Sequence, residues 1–219
     1  MQFHWLNKQN NNELIIFFTG WSFDYRPFEF LQYQNTDVVV FYDYNFIDDF
    51  KKFENKYEKI HLIAWSMGVY TAYTLKDRLP KFDTKLAING TVFPVDNEYG
   101  IPEKPFILTL KHAEKGLEEK FYQNIFMNSE EYEKYTKTQV SRSIDNRVEE
   151  LKNLYNRIQN SQKDYKKFYD KAIISSNDKI IPTKNQINFW TKYNTPYEII
   201  ESGHFPYYNF SDWKEIICK

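Results

Sequence analysis

Ser66 ends an apolar run, Ile60-His61-Leu62-Ile63-Ala64-Trp65, and a helix-compatible segment, Met67-Gly68-Val69-Tyr70-Thr71-Ala72, starts straight after it. A sharp strand-to-helix turn of this kind lifts a serine hydroxyl to the rim of a sheet, where it can attack a carbonyl carbon. The turn is crowded, so the residues two before and two after the serine must be small. Ala64 and Gly68 meet that demand, with alanine standing where glycine is more usual.

A serine hydroxyl needs a base to take its proton and a third group to hold that base in the right tautomer. The base is sought among four histidines. His4 precedes the core, His61 opens the apolar run before the serine, and His112 lies in a helical stretch. His204, in Glu201-Ser202-Gly203-His204-Phe205-Pro206, follows a strand signal, and a loop past a strand end is where a parallel sheet presents functional side chains. The acid is expected between serine and histidine in chain order. Asp178 sits in the turn after Ala172–Ser175, whereas Asp170 precedes that strand and Asp212 follows the histidine. An aspartate after a strand is also a common turn residue, so its position two elements before His204 is what singles it out. Negative charge developing on the carbonyl oxygen needs backbone N–H donors. The amide of Met67 is one expected donor, and that of Trp21, in Thr19-Gly20-Trp21-Ser22, is the other.

The elements that must position these residues read as strands alternating with helices. Strand signals fall at Leu14–Phe18, Asp37–Phe41, His61–Ala64, Lys85–Asn89, Ala172–Ser175 and Tyr197–Ile200. Helical signals fall at Phe46–Tyr57, Met67–Leu79, Thr183–Tyr193 and Asp212–Cys218. That alternation predicts a mostly parallel central sheet with helices on both faces. Between Thr91 and Lys167 strand signals are scarce. Glu118–Met127 reads as helix, and Val140, Ile144, Val148, Leu151, Tyr155 and Ile158 recur at helical spacing. The expectation is a core of residues 1–90 and 168–219, interrupted by a helical cap at 91–167, all within one structural domain.

Composition narrows the classes. The chain has 219 residues, 42% of them hydrophobic, enough for one domain with a substantial core. Aromatic residues reach 19%, and their abundance beside Asn, Lys and Ile reads as codon usage as much as a lined pocket. A net charge of −1 gives no global attraction to nucleic acid or membrane. Cys218 is a single cysteine, so no internal disulfide is expected, nor any cysteine-histidine metal cluster. Without a signal-peptide core or a long apolar run, the expected compartment is the cytoplasm.

The motifs Phe17-Phe18-Thr19-Gly20-Trp21, Val40-Phe41-Tyr42-Asp43-Tyr44, Ala64-Trp65-Ser66-Met67-Gly68-Val69 and Gly203-His204-Phe205-Pro206 resemble the BioG family of α/β-hydrolases. Those enzymes are pimeloyl-[acyl-carrier protein] methyl ester esterases of biotin synthesis. The resemblance implies Ser66 as nucleophile, His204 as base, Asp178 as acid, and Trp21 and Met67 as the oxyanion hole. It also implies release of methanol without a metal or organic cofactor. Tyr42 and Asp43 end a strand and are weighed for the site, with a structural role preferred for Asp43.

Such a substrate carries a thioester that the enzyme must spare. A carrier docked at the cap would place only the far ester at Ser66. Carrier proteins are acidic, and Lys134–Lys171 holds ten Lys or Arg against five Asp or Glu, a local +5 against −6 elsewhere. Arg142, Arg147, Lys152 and Arg157 are the candidate contacts. Five residues of helix turn about 140° net, so one continuous helix cannot present them all on one face. Two alternatives stand beside this reading: an ester or thioester hydrolase of a free small acyl substrate, and a non-catalytic binding protein on the same fold.

Overall fold

The computed structural model describes residues 1–47, 57–113, 119–161 and 164–219. Its strands are β1 (Gln2–Asn7), β2 (Glu13–Phe18), β3 (Thr36–Tyr42), β4 (Lys59–Trp65), β5 (Thr84–Ile88), β6 (Lys171–Ser175) and β7 (Tyr197–Ile200). They form one sheet in the order β1-β3-β2-β4-β5-β6-β7. β1 runs antiparallel to β3, and every other pairing is parallel.

Continuous apolar runs make these strands because both sheet faces are covered. In β2, Leu14, Ile16 and Phe18 enter one core, while Ile15 and Phe17 enter the other. The N-terminal segment, expected to precede the core, instead supplies β1. An edge strand has one neighbour, so its partly exposed, polar-rich pattern satisfies the ladder without a fully apolar run.

The helices are α1 (Met67–Thr74), α2 (Glu103–Ala113), α3 (Glu119–Gln123), α4 (Ser129–Thr136), α5 (Ile144–Asn160), α6 (Thr183–Lys192) and α7 (Trp213–Cys218). Helix α1 stops at Thr74, short of the expected Leu79, and the expected helix at 118–127 shortens to α3. The expected helix at 46–57 falls largely on residues 48–56, outside those described. Both α2 and α4 fall in the expected helical cap, though neither had a helix signal of its own. Pro105 reads as a breaker, yet it lies in the first turn of α2, where its missing N–H costs nothing. Helix α4 is poor in apolar residues and is started by Asn128, whose side chain accepts the Glu131 N–H.

β5 and β6 are sheet neighbours although α2 to α5 lie between them in the chain. The chain therefore leaves the sheet after β5, builds a helical layer and returns. The first three central strands set the site. β3 and β4 flank β2 on opposite sides, so strand order reverses there, and the crevice beyond the carboxyl ends of β2 and β4 is the natural ligand position.

Candidate active site

Phe18 and Ala64 pair across β2 and β4, which brings the loop after β2 against the turn after β4. Ser66 stands at that turn with φ 56° and ψ −125°. This sparsely populated conformation costs on the order of 1–3 kcal/mol and persists only where surroundings impose it. Here the Ser66 N–H donates to Ile88 O at 3.0 Å, and the Ser66 carbonyl accepts the Val69 N–H at 3.0 Å. Gly68 is fixed by contact: a Cβ there would lie 2.4 Å from the carbonyl oxygens of Phe18 and Thr19.

The three residues expected to act together do meet, although 138 positions separate Ser66 from His204. His204 Nε2 lies 2.9 Å from Ser66 Oγ, and His204 Nδ1 lies 2.8 Å from Asp178 Oδ2. The Asp178 carboxylate also accepts the N–H groups of Ile180 and Ile181 on Oδ1 and the Gln186 side-chain amide on Oδ2, each at 2.9 Å. A carboxylate so used is an acceptor, so Nδ1 carries the imidazole proton and leaves Nε2 free to accept from the Ser66 hydroxyl. His204 is 2% exposed, so water does not compete for this arrangement.

Two residues that sequence reasoning did not assign hold the histidine backbone. The indole N–H of Trp65 and the side-chain amide of Asn89 donate to the His204 carbonyl at 2.8 and 3.0 Å. Asn89 also donates to Ser175 Oγ and accepts the Ser175 N–H, both at 2.7 Å, tying β5, β6 and the histidine loop together. Its positive φ of 43°, just past a strand, is consistent with a special role but does not name one.

Gly20 is packed so closely that an added Cβ would lie 3.1 Å from Ser66 Cβ. Trp21 follows it. Met67 opens α1, so its N–H has no acceptor within the helix. Among the described residues, neither the Trp21 nor the Met67 backbone N–H donates to the protein. A cavity of about 160 Å³ opens beside them, walled by Trp21, Phe106, Phe121, Ile125, Leu151 and Ile180 and reached by Ser66 and His204. This lining suits an acyl chain and keeps water scarce at the hydroxyl.

Tyr42 and Asp43 do not line the cavity. Asp43 has the structural role preferred for it, accepting from the side chains of Gln2, Asn45 and Asn146. The four basic residues divide. Arg142 is corrected from a surface docking residue to a buried one: its side chain is 6% exposed. It donates to Glu150 Oε2 at 2.8 Å, and its Nη2 lies 3.5 Å from Asp43 Oδ1, close enough for charge attraction. Arg157 donates to the carbonyls of Tyr44 and Asn45. Arg147 donates to Ser143 O and to the Tyr122 hydroxyl and is half-buried, whereas Lys152 is exposed. Glu150, fully buried on α5, accepts the N–H of Tyr44 at 2.7 Å and that of Ser22 at 3.1 Å. Burial pushes its carboxyl up, opposed by Arg142 and the two amides. No local pattern in the sequence pointed to it: of its helical neighbours Asn146, Arg147, Asn153, Leu154 and Arg157, only Leu154 is apolar.

An esterase from Exiguobacterium antarcticum, 12% identical, superposes with a TM-score of 0.66 over 94% of this chain and 89% of that one, a likeness of fold alone. With the sheet order and the serine turn, this defines an α/β-hydrolase. The crystal structure of BioG from Haemophilus influenzae, 28% identical, superposes with a TM-score of 0.87 over 99% of this chain and 100% of that one. The model of the family described as pimeloyl-ACP methyl esterase BioG matches residues 1–216, and the chain belongs to that family of ester hydrolases. A relative from Bacteroides fragilis, named malonyl-[acyl-carrier protein] O-methyltransferase, is 32% identical over 195 residues. That alignment covers 88% of this chain but only 39% of the longer relative. Among the described residues no helix is long and apolar enough to cross a membrane.

Proposed function

We propose that the chain is a serine carboxylesterase that hydrolyses the methyl ester of pimeloyl-[acyl-carrier protein] methyl ester, releasing methanol, in biotin synthesis. The observation that carries this reading is the unbroken path from Ser66 Oγ through the His204 ring to Asp178, at 2.9 and 2.8 Å, opening on an apolar cavity. Family membership supports this choice of substrate. Ser66 Oγ attacks the ester carbonyl while His204 Nε2 takes its proton. The amides of Trp21 and Met67 hold the oxyanion, and His204 protonates departing methanol. Water activated by the same imidazole then frees the carboxylate and restores Ser66.

The name of the Bacteroides fragilis relative fits the same chemistry from the other side. Methyl transfer to a carrier-bound acyl group makes the kind of bond this site would cleave. Residues 91–167 serve in this reading as a cap that receives the carrier. Lys152 is its strongest candidate contact, because its side chain is exposed whereas Arg142, Arg147 and Arg157 each donate to internal partners. Carrier docking measures the reach of the prosthetic arm, so the thioester stays outside the cavity.

The test is hydrolysis of pimeloyl-carrier methyl ester by the wild type and by Ser66→Ala, together with rescue of a biotin auxotroph that lacks its esterase. Wild-type turnover and rescue, both lost in Ser66→Ala, are expected. Equal or faster turnover of a free small ester, insensitive to salt, would assign the site to a free acyl substrate.

A further inference from the structure

The loop that bears Trp21 is held from the helical layer. The Trp21 indole N–H donates to Arg147 O on α5 at 2.7 Å, and the Ser22 N–H donates to Glu150 Oε2 on the same helix. Ser22 Oγ lies 3.1 Å from the Tyr122 hydroxyl on α3. Arg142 donates from Nη1 to Phe23 O at 3.2 Å and to Glu150. Ser22 itself has φ 71°, a conformation its own side chain does not favour. Glu150 therefore holds the peptide after Trp21 and Arg147 O holds its ring, two ties on the Cα to which the Trp21 backbone N–H is attached.

We propose that Glu150 is a positioning residue for the oxyanion hole, so that the seating of α5 on the sheet governs transition-state stabilisation at Ser66. This deepens the hydrolase reading above and rests on it. A carboxylate is required chemically. Oε1 accepts Tyr44 N–H, and Oε2 accepts both Ser22 N–H and Arg142, so both oxygens face donors. Glutamine has one oxygen; its NH₂ would face either the Tyr44 N–H or both the Ser22 N–H and the guanidinium. Aspartate is a methylene too short to span all three.

The experiment compares wild type, Glu150→Gln and Tyr122→Phe on p-nitrophenyl butyrate, with thermal melts to establish the folded fraction. The affinity of each for a trifluoromethyl ketone, whose serine adduct carries an oxyanion, is measured alongside. Glu150→Gln should lower kcat about 10- to 100-fold with KM nearly unchanged, and ketone affinity should fall by the same factor. Tyr122→Phe, which loosens one tie, should shift the same two readouts by about threefold. A merely structural role would lower the melting temperature but leave kcat per folded enzyme and ketone affinity intact, and that result overturns the proposal. If Glu150→Gln does not fold, Tyr122→Phe decides alone: loss of kcat supports the proposal and an unchanged kcat overturns it. A wild type that neither turns over the ester nor binds the ketone would fail the hydrolase reading, a separate outcome from an active wild type matched by its variants.

Discussion

Asp178 and Glu150 are both buried carboxylates that each accept two backbone amides and face nitrogen-bearing side chains, His204 and Gln186 for the first and Arg142 for the second, and they differ in where the amides come from. Asp178 takes Ile180 and Ile181, two and three residues on, and turns its other oxygen to His204. Glu150 takes Ser22 and Tyr44, 128 and 106 residues away, and faces Arg142. One carboxylate is fixed by its own turn and serves the imidazole. The other is fixed by the tertiary fold and clamps two loops at the sheet's rim. Charge held locally can be given a chemical role cheaply, because the turn forms with its strand. Charge held across the fold makes the site depend on how the helical layer is seated.

The comparison breaks most visibly at Asp178. In Asp178→Asn an amide N–H would face Nδ1 and drive the ring proton to Nε2, pointing it at Ser66. The expected loss in kcat is about 10⁴-fold at unchanged fold, read from steady-state kinetics and far-ultraviolet circular dichroism. Arg142→Met tests the other carboxylate through stability. It leaves Glu150 buried without its counter-charge, and urea unfolding should show a loss of about 3–5 kcal/mol. Asn89→Ala removes an anchor of the His204 carbonyl while sparing the ring contacts. Because a small displacement of the base is costly, kcat should fall about tenfold with little change in KM.

A half-buried carboxylate at the sheet's lower end sharpens the contrast. The Glu13 carboxyl lies below its ordinary value, chiefly through the hydrogen bond from Lys214. Its folded-state value is thus depressed, so its stabilisation is present above the unfolded value and fades as pH falls through the folded one. Solvent screening limits that stabilisation to roughly 1 kcal/mol or less. The gap in urea midpoint between wild type and Lys214→Ala should be small at neutral pH and close under acid conditions.

Where the candidate site rests on local pattern, the sequence was readable. Ser66, Asp178 and His204 each follow a strand signal, and chain order, with the acid between serine and histidine, singled out Asp178; the parallel sheet followed from the same strand signals. β1 was missed because an edge strand needs no apolar signature. Helices α2 and α4 were missed because a proline in a first turn and a sparse apolar face imitate loop. Glu150 and Asn89 act on groups distant in the chain, and no local spacing encodes that. For the same reason the basic stretch from Lys134 to Lys171 misled: charge counted along the chain did not distinguish Arg142, turned inward to Glu150, from Lys152, which is exposed.

The most direct measurement is rapid-quench mass spectrometry of the enzyme during turnover of a chromogenic acyl ester. A transient acyl adduct on Ser66 is predicted, absent in Ser66→Ala and forming far more slowly in Asp178→Asn. An adduct on another residue, or hydrolysis at the wild-type rate by Ser66→Ala, would contradict the account.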